Sequence, residues 1–208
     1  MSKSGSKPRD VFVFERVETL KANESKYIKP HRIHYKMNGK DLIWDCMKIH
    51  DSVAILVYNR SSKKLVFVRQ LRPAIVFAQL CQSIDSIDLN VFSKENIHKV
   101  NQMFEKNPNF GYTLELCAGI LDKQGKTPQE VAKEEIAEEI GYVVDLKDET
   151  PKGKGGGIDD ESIEVIELGI EEVRQLLYCD DTTSAISRPT AMLFALSWFL
   201  YQHLPTIS

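Results

Sequence analysis

Apolar and polar positions alternate with a period of two in several early stretches, the signature of strands with one face buried. Ile33-His34-Tyr35-Lys36-Met37 fits this pattern and runs into Asn38-Gly39, while Val11-Phe12-Val13-Phe14, apolar throughout, is also read as a strand. That dipeptide favours a two-residue hairpin turn, so Leu42–Met47 is read as the return strand. Ser52–Tyr58 is apolar through its middle, which predicts one strand buried on both faces. A turn over Asn59–Ser62 then leads into a strand at Lys64–Gln70. The stretch from Phe77 to Phe110 is less regular and reads as a polar excursion with one short helix, a variable loop over the site.

The period changes at Thr127-Pro128, a helix start, and Gly141 stops the helix that follows. Later, Ile163–Leu168 alternates as a strand and Ile170–Leu177 is amphipathic. The apolar run Ala191–Tyr201 is shorter than the about 18 residues needed to span a bilayer, so it reads as a buried C-terminal helix packed on a sheet. Strands alternating with helices in one 208-residue chain predict an α/β fold. The expected organisation is a disordered tail over 1–9 and a single domain over 10–208, with a flexible linker at 145–157.

Composition narrows the class. The chain is 42% hydrophobic and 27% charged, ordinary for a globular enzyme, and its net charge of -3 gives no electrostatic reason to bind nucleic acid. Cys46, Cys81, Cys117 and Cys179 form no CxxC pair, which predicts reduced thiols in a cytoplasmic protein and no zinc site. With no apolar leader and no long apolar run, no membrane association is expected.

The candidate chemistry lies on the helix after Pro128. It carries Glu134, Glu135, Glu138 and Glu139. Glu135 and Glu139 are one turn apart, as are Glu134 and Glu138, so each pair shares a face and repels. Taken alone, such clustering is more often an acidic surface helix than a metal site. A hard cation held by oxygen ligands is the other reading. Two further groups have the same double reading. Arg69 and Arg72, just before Pro73, form either a solvated strand end or a fork for paired phosphate oxygens. Gly155–Glu161 is either a flexible acidic loop or a source of one more carboxylate.

Between Gly119 and Gly141 the whole pattern resembles the Nudix box, a glycine followed through a fixed loop by Arg-Glu-aliphatic-x-Glu-Glu-x-Gly. Here Glu135-Ile136-Ala137-Glu138-Glu139-Ile140-Gly141 closes the box, which spans 118–141. The loop is one residue longer than usual, which is similar to the branch that hydrolyses UDP-sugars, close to the ADP-ribose pyrophosphatases. The resemblance implies an α/β/α sandwich with a mixed sheet and a small N-terminal antiparallel sheet, residues 10–50, used for homodimerisation. It implies Mg²⁺, with Mn²⁺ as a substitute, held by Glu135, Glu138, Glu139, Glu161 and the Ala118 carbonyl. Catalysis would fall to Glu135, Glu138, Glu139, Glu161 and Asp159, and substrate binding to Arg69, Arg72 and Glu115. UDP-glucose would yield UMP and glucose 1-phosphate, with ADP-ribose as second substrate.

Two departures stand out. In the family an arginine orients the catalytic carboxylates; Glu134 holds its position here, a reversal of charge. Only Tyr142 to Gly157 separates the helix from the acidic loop, whereas the family has two strands there. A strand takes about five residues at roughly 3.3 Å each. Roughly 35–40 residues are therefore expected to be absent relative to relatives. The alternative expectation is a weakly folded or catalytically silent variant that still binds nucleotide sugar.

Overall fold

The computed structural model describes residues 12–18, 20–21, 24–25, 27–83, 93–107, 109–142, 156, 162–178 and 186–207. The tail 1–9, Asp159 and Glu161 lie outside these residues, as does the 145–157 linker apart from Gly156. Asn38 and Gly39 both have positive φ, 53° and 76°, as the hairpin turn demands. They join β1 (Lys29–Met37) to β2 (Lys40–Lys48), antiparallel with Ile33 opposite Trp44. This hairpin pairs with no other strand among the described residues.

The run expected as one strand changes partner at Leu56. β3 (Ser52–Ile55) pairs with β7 (Cys117–Ile120), whereas β4 (Val57–Asn59) pairs with β5 (Lys64–Leu71). Both faces are packed, but the residues are half-buried or exposed rather than fully buried. Uniform apolarity hides such a break, because it carries no register.

β5 is the centre of the fold. β8 (Ile163–Gly169) pairs along Lys64–Gln70, so it takes one whole edge. β4 and β6 (Tyr112–Glu115) share the other edge end to end. Among the described residues, β8 is the next strand after helix α3 (Pro128–Ile140), as the sequence predicts for Ile163–Leu168. Leu65 and Phe67 point to one side, into a cluster with Leu114 and Leu116. Val66 and Val68 point to the other, with Cys117, Ile136 and Ile140. The sheet therefore lies between α3 on one face and α4 (Ile170–Tyr178) with α5 (Thr190–Trp198) on the other, the expected α/β/α sandwich.

The segment between β5 and β6 holds more order than its sequence suggested. α1 (Pro73–Ser83) starts on a proline, and α2 (Lys94–Lys106) is capped by Ser93, whose hydroxyl accepts from the Asn96 amide. Val76, Leu80, Val100 and Phe110 form a third small core, joined by Phe12 and Phe14. Phe12–Phe14 was expected to be a strand but forms none. Its apolar side chains pack on α2, and the Phe14 amide donates to the Asn101 side chain at 3.1 Å. The apolar side chains are buried as a strand's would be, but among the described residues no strand pairs with this segment.

At the C terminus, α5 buries Met192 and Leu196, and the following turn, Phe199–His203, buries Phe199 and Leu200. Phe194, Trp198 and Tyr201 stay exposed, so only one stripe of the apolar run packs on the sheet. Among the described residues no helix is long and apolar enough to cross a membrane.

Candidate active site

Helix α3 starts where its sequence allows it to. The Thr127 hydroxyl accepts from the Glu130 amide, and the Glu130 carboxylate accepts from the Thr127 amide at 2.7 Å, a reciprocal capping box with Pro128 in the first turn. Gly141 ends it in the left-handed conformation. These fixed ends set which side chains face β7.

Glu139 is buried, and its Oε2 accepts from the Ala118 amide at 3.1 Å. Within a strand, the N–H and C=O of one residue project from the same edge. The Ala118 carbonyl therefore shares the edge that Glu139 occupies. Glu135 lies directly against Gly119: a Cβ built there would sit 2.2 Å from the Glu135 Cδ. Glycine is required at 119 for space, since any side chain would expel the carboxylate. Gly119→Ala is expected to displace Glu135 and reduce kcat by roughly 100-fold, with a small change in Tm; steady-state kinetics beside thermal melting checks it.

The Cys117 thiol faces the same two carboxylates. Burial, then the charge and hydrogen bond of Glu139 and the charge of Glu135, push the thiol far above its ordinary pKa. It stays protonated and donates to Glu139. Sequence reading passed over Cys117, although it shares strand parity with Glu115 and Gly119.

On the outer ridge of α3, Lys126 reaches Glu134 at 2.5 and 2.7 Å, and Lys123 reaches it at 3.0 Å. These hydrogen bonds hold the Glu134 carboxyl below its usual pKa. The Lys123 ammonium also lies 3.9 Å from Glu138.

Glu115, on β6 opposite Val68, is on the α3 face of the sheet. Arg72 grips it with two parallel bonds, 3.0 and 2.7 Å, and Thr113 and Gln70 donate to it as well. Burial raises the Glu115 pKa, but the Arg72 and Thr113 bonds, the Arg72 charge and Gln70 outweigh it, so the carboxyl is held low. Arg69 goes elsewhere. Its guanidinium lies 3.8 Å over the Tyr112 ring and bonds Glu164 and Asn109, on the opposite face from Glu115. The structure thus brings Arg72 and Glu115 to the carboxylate side and separates Arg69 from it.

Among the described residues no three His, Cys, Asp or Glu side chains converge closely enough to hold a metal ion. The donor chemistry of Glu135, Glu138, Glu139 and the Ala118 carbonyl still fits a hard divalent cation: all are oxygens, and the one nearby sulfur is a protonated thiol.

Comparison with known proteins bears on the family and the fold. No family model matches the chain. The chain is 30% identical to uridine diphosphate glucose pyrophosphatase NUDT14 of Mus musculus, over 88% of this chain and 93% of that protein. The Bos taurus protein of the same name is also 30% identical, over 89% and 95%. A GDP-mannose pyrophosphatase of Cronobacter sakazakii is 25% identical over 76% of the chain and 84% of its own. Among solved structures, the crystal structure of an ADP compounds hydrolase superposes with a TM-score of 0.53 at 15% identity, covering 95% of this chain and 99% of the other. The relatives, with the fold, define a hydrolase of the α/β/α sandwich type. The chain belongs to the Nudix hydrolases. The mouse alignment runs over 213 positions, more than the 208 residues here, so that relative carries residues within the match that this chain lacks.

Proposed function

We propose that this chain hydrolyses the diphosphate bond of a nucleoside-diphosphate sugar, with UDP-glucose the leading substrate and ADP-ribose the second. The observation that carries the reading is the seating of Glu135 on Gly119 and of Glu139 on the Ala118 amide. The names of the mouse, bovine and bacterial relatives support the substrate class.

In this reading Glu135, Glu138, Glu139 and the Ala118 carbonyl would hold Mg²⁺, or Mn²⁺ in its place. Bound there, the metal neutralises phosphate charge and lowers the pKa of a water. The chain's own residues do the rest. Arg72, fixed by Glu115, offers a cation on the α3 face where the diphosphate has to lie. Glu115 holds the guanidinium plane, so its orientation is set before substrate arrives. Asp159 and Glu161, outside the described residues, remain part of the proposed catalytic set. Arg69 is better assigned to the opposite face, where it joins β5, β8 and Tyr112.

Homodimerisation belongs to the same proposal. One face of the β1–β2 hairpin carries Ile33, Tyr35, Leu42 and Trp44 in two cross-strand pairs, and Ile33 and Trp44 are 49% and 64% exposed. A two-stranded ribbon with a bare apolar face is unstable alone and calls for a cover. Trp44→Asp is expected to shift the chain toward monomer, measured by sedimentation velocity. A cytoplasmic location also belongs to the proposal, supported by the exposed free thiols of Cys46 and Cys81.

The test is hydrolysis of UDP-glucose, ADP-ribose and GDP-mannose by the purified chain with Mg²⁺. Release of UMP and glucose 1-phosphate supports the reading. A folded chain that releases product from none of the three overturns it.

A further inference from the structure

At position 134 the box reverses charge, and the helix is left with four carboxylates in six residues. The structure supplies the missing cation from the loop after β7. Glu134 and Glu138 lie one turn apart on a single ridge, beside the ridge that carries Glu135 and Glu139. The Lys123 ammonium sits between them, 3.0 Å from Glu134 and 3.9 Å from Glu138. Lys126 holds Glu134 from the same loop at 2.5 Å, so Glu134 is pinned by two lysines and in turn pins Lys123. Lys123 and Glu138 are each about one-third exposed, so water reaches the pair.

An exposed ion pair of this kind contributes little to folding. What it fixes is geometry. Glu138 has like charges at Glu134 and Glu135, one turn before it, and at Glu139 beside it. A cation on one side selects a single orientation.

We propose that Lys123 is the positioning residue for Glu138, doing from the loop what a cation at position 134 would do from the helix, with Glu134 as its anchor. Charge reversal at 134 and the pair of loop lysines are then two halves of one arrangement. This rests on the reading of α3 as a metal-binding helix.

The test uses the full chain in five forms: native, Lys123→Met, Lys123→Arg, Lys123→Met combined with Glu134→Arg, and Glu139→Gln. Mn²⁺ binding without substrate is followed by electron paramagnetic resonance, and kcat and KM are measured separately on UDP-glucose. Lys123→Met is expected to weaken Mn²⁺ binding and lower kcat, each roughly tenfold, with KM nearly unchanged. Lys123→Arg is expected to restore both, because its fork reaches two carboxylates. The double variant is expected to recover them as well, with the cation now on the helix. Unchanged or tighter Mn²⁺ binding in Lys123→Met, or a loss that neither Arg restores, overturns the role of Lys123. If the native chain and Glu139→Gln bind Mn²⁺ equally weakly, the metal-binding helix itself is refuted and this inference with it.

Discussion

Glu139→Gln is expected to abolish measurable turnover while leaving the chain folded, and to do so more cleanly than any other single change. The amide keeps the shape of the side chain and an oxygen to accept from the Ala118 N–H, so the contact at 3.1 Å survives. What is lost is a full negative charge at a buried oxygen beside Glu135 and Cys117. Charge stabilisation by a bound metal is worth several kcal/mol, and each ~1.4 kcal/mol is a factor of ten in rate, so kcat is expected to fall about 10³-fold. Stability moves the other way. Removing one of several mutually repelling carboxylates relieves strain in the metal-free chain, so Tm should hold or rise. Product release by chromatography and thermal melting on one sample check both halves. A variant that loses activity and Tm together would mean that Glu139 acts through folding.

The largest effect on stability is expected at Phe67. It is fully buried, at the middle of β5, paired with β8 on one edge and at the junction of β4 and β6 on the other, with the α4–α5 layer above it. Phe67→Ala removes a ring from a site that collapses little, because β8 holds one edge of β5 and β4 and β6 hold the other edge on either side of residue 67. Such truncations cost about 3–5 kcal/mol. A domain has only ~5–15 kcal/mol in hand, so the variant should sit close to its unfolding threshold at 25 °C. Urea denaturation followed by tryptophan fluorescence gives the difference. A cost below ~1 kcal/mol would show that the sandwich is looser at its centre than its burial implies.

The helix was legible in detail because its signals are local. Thr127, Pro128, Glu130 and Gly141 each act within a few residues, and each does what its chemistry dictates. The same holds for Asn38-Gly39. What sequence could not show was partner choice. Leu56 lies inside a uniform apolar run, yet there the chain leaves β7 for β5. Phe12 and Phe14 read as part of a strand but meet helix α2. Arg69 and Arg72 look equivalent three residues apart, but a strand places residues 69 and 70 on opposite faces, and Arg72 turns back to Glu115 beyond the strand end. The compensation of Glu134 by Lys123 and Lys126 depends on how the loop folds over the helix, and spacing alone does not encode that.

One contact links regions that the topology separates. Glu139 receives the Ala118 amide on its side chain, and its own main-chain carbonyl receives the Gly156 amide at 2.8 Å. Strand β7 and Gly156, which precedes β8, are therefore fastened to the same residue in the last turn of α3. Fraying of that turn would release both at once, so the three pieces open as a single cooperative unit rather than as independent local fluctuations.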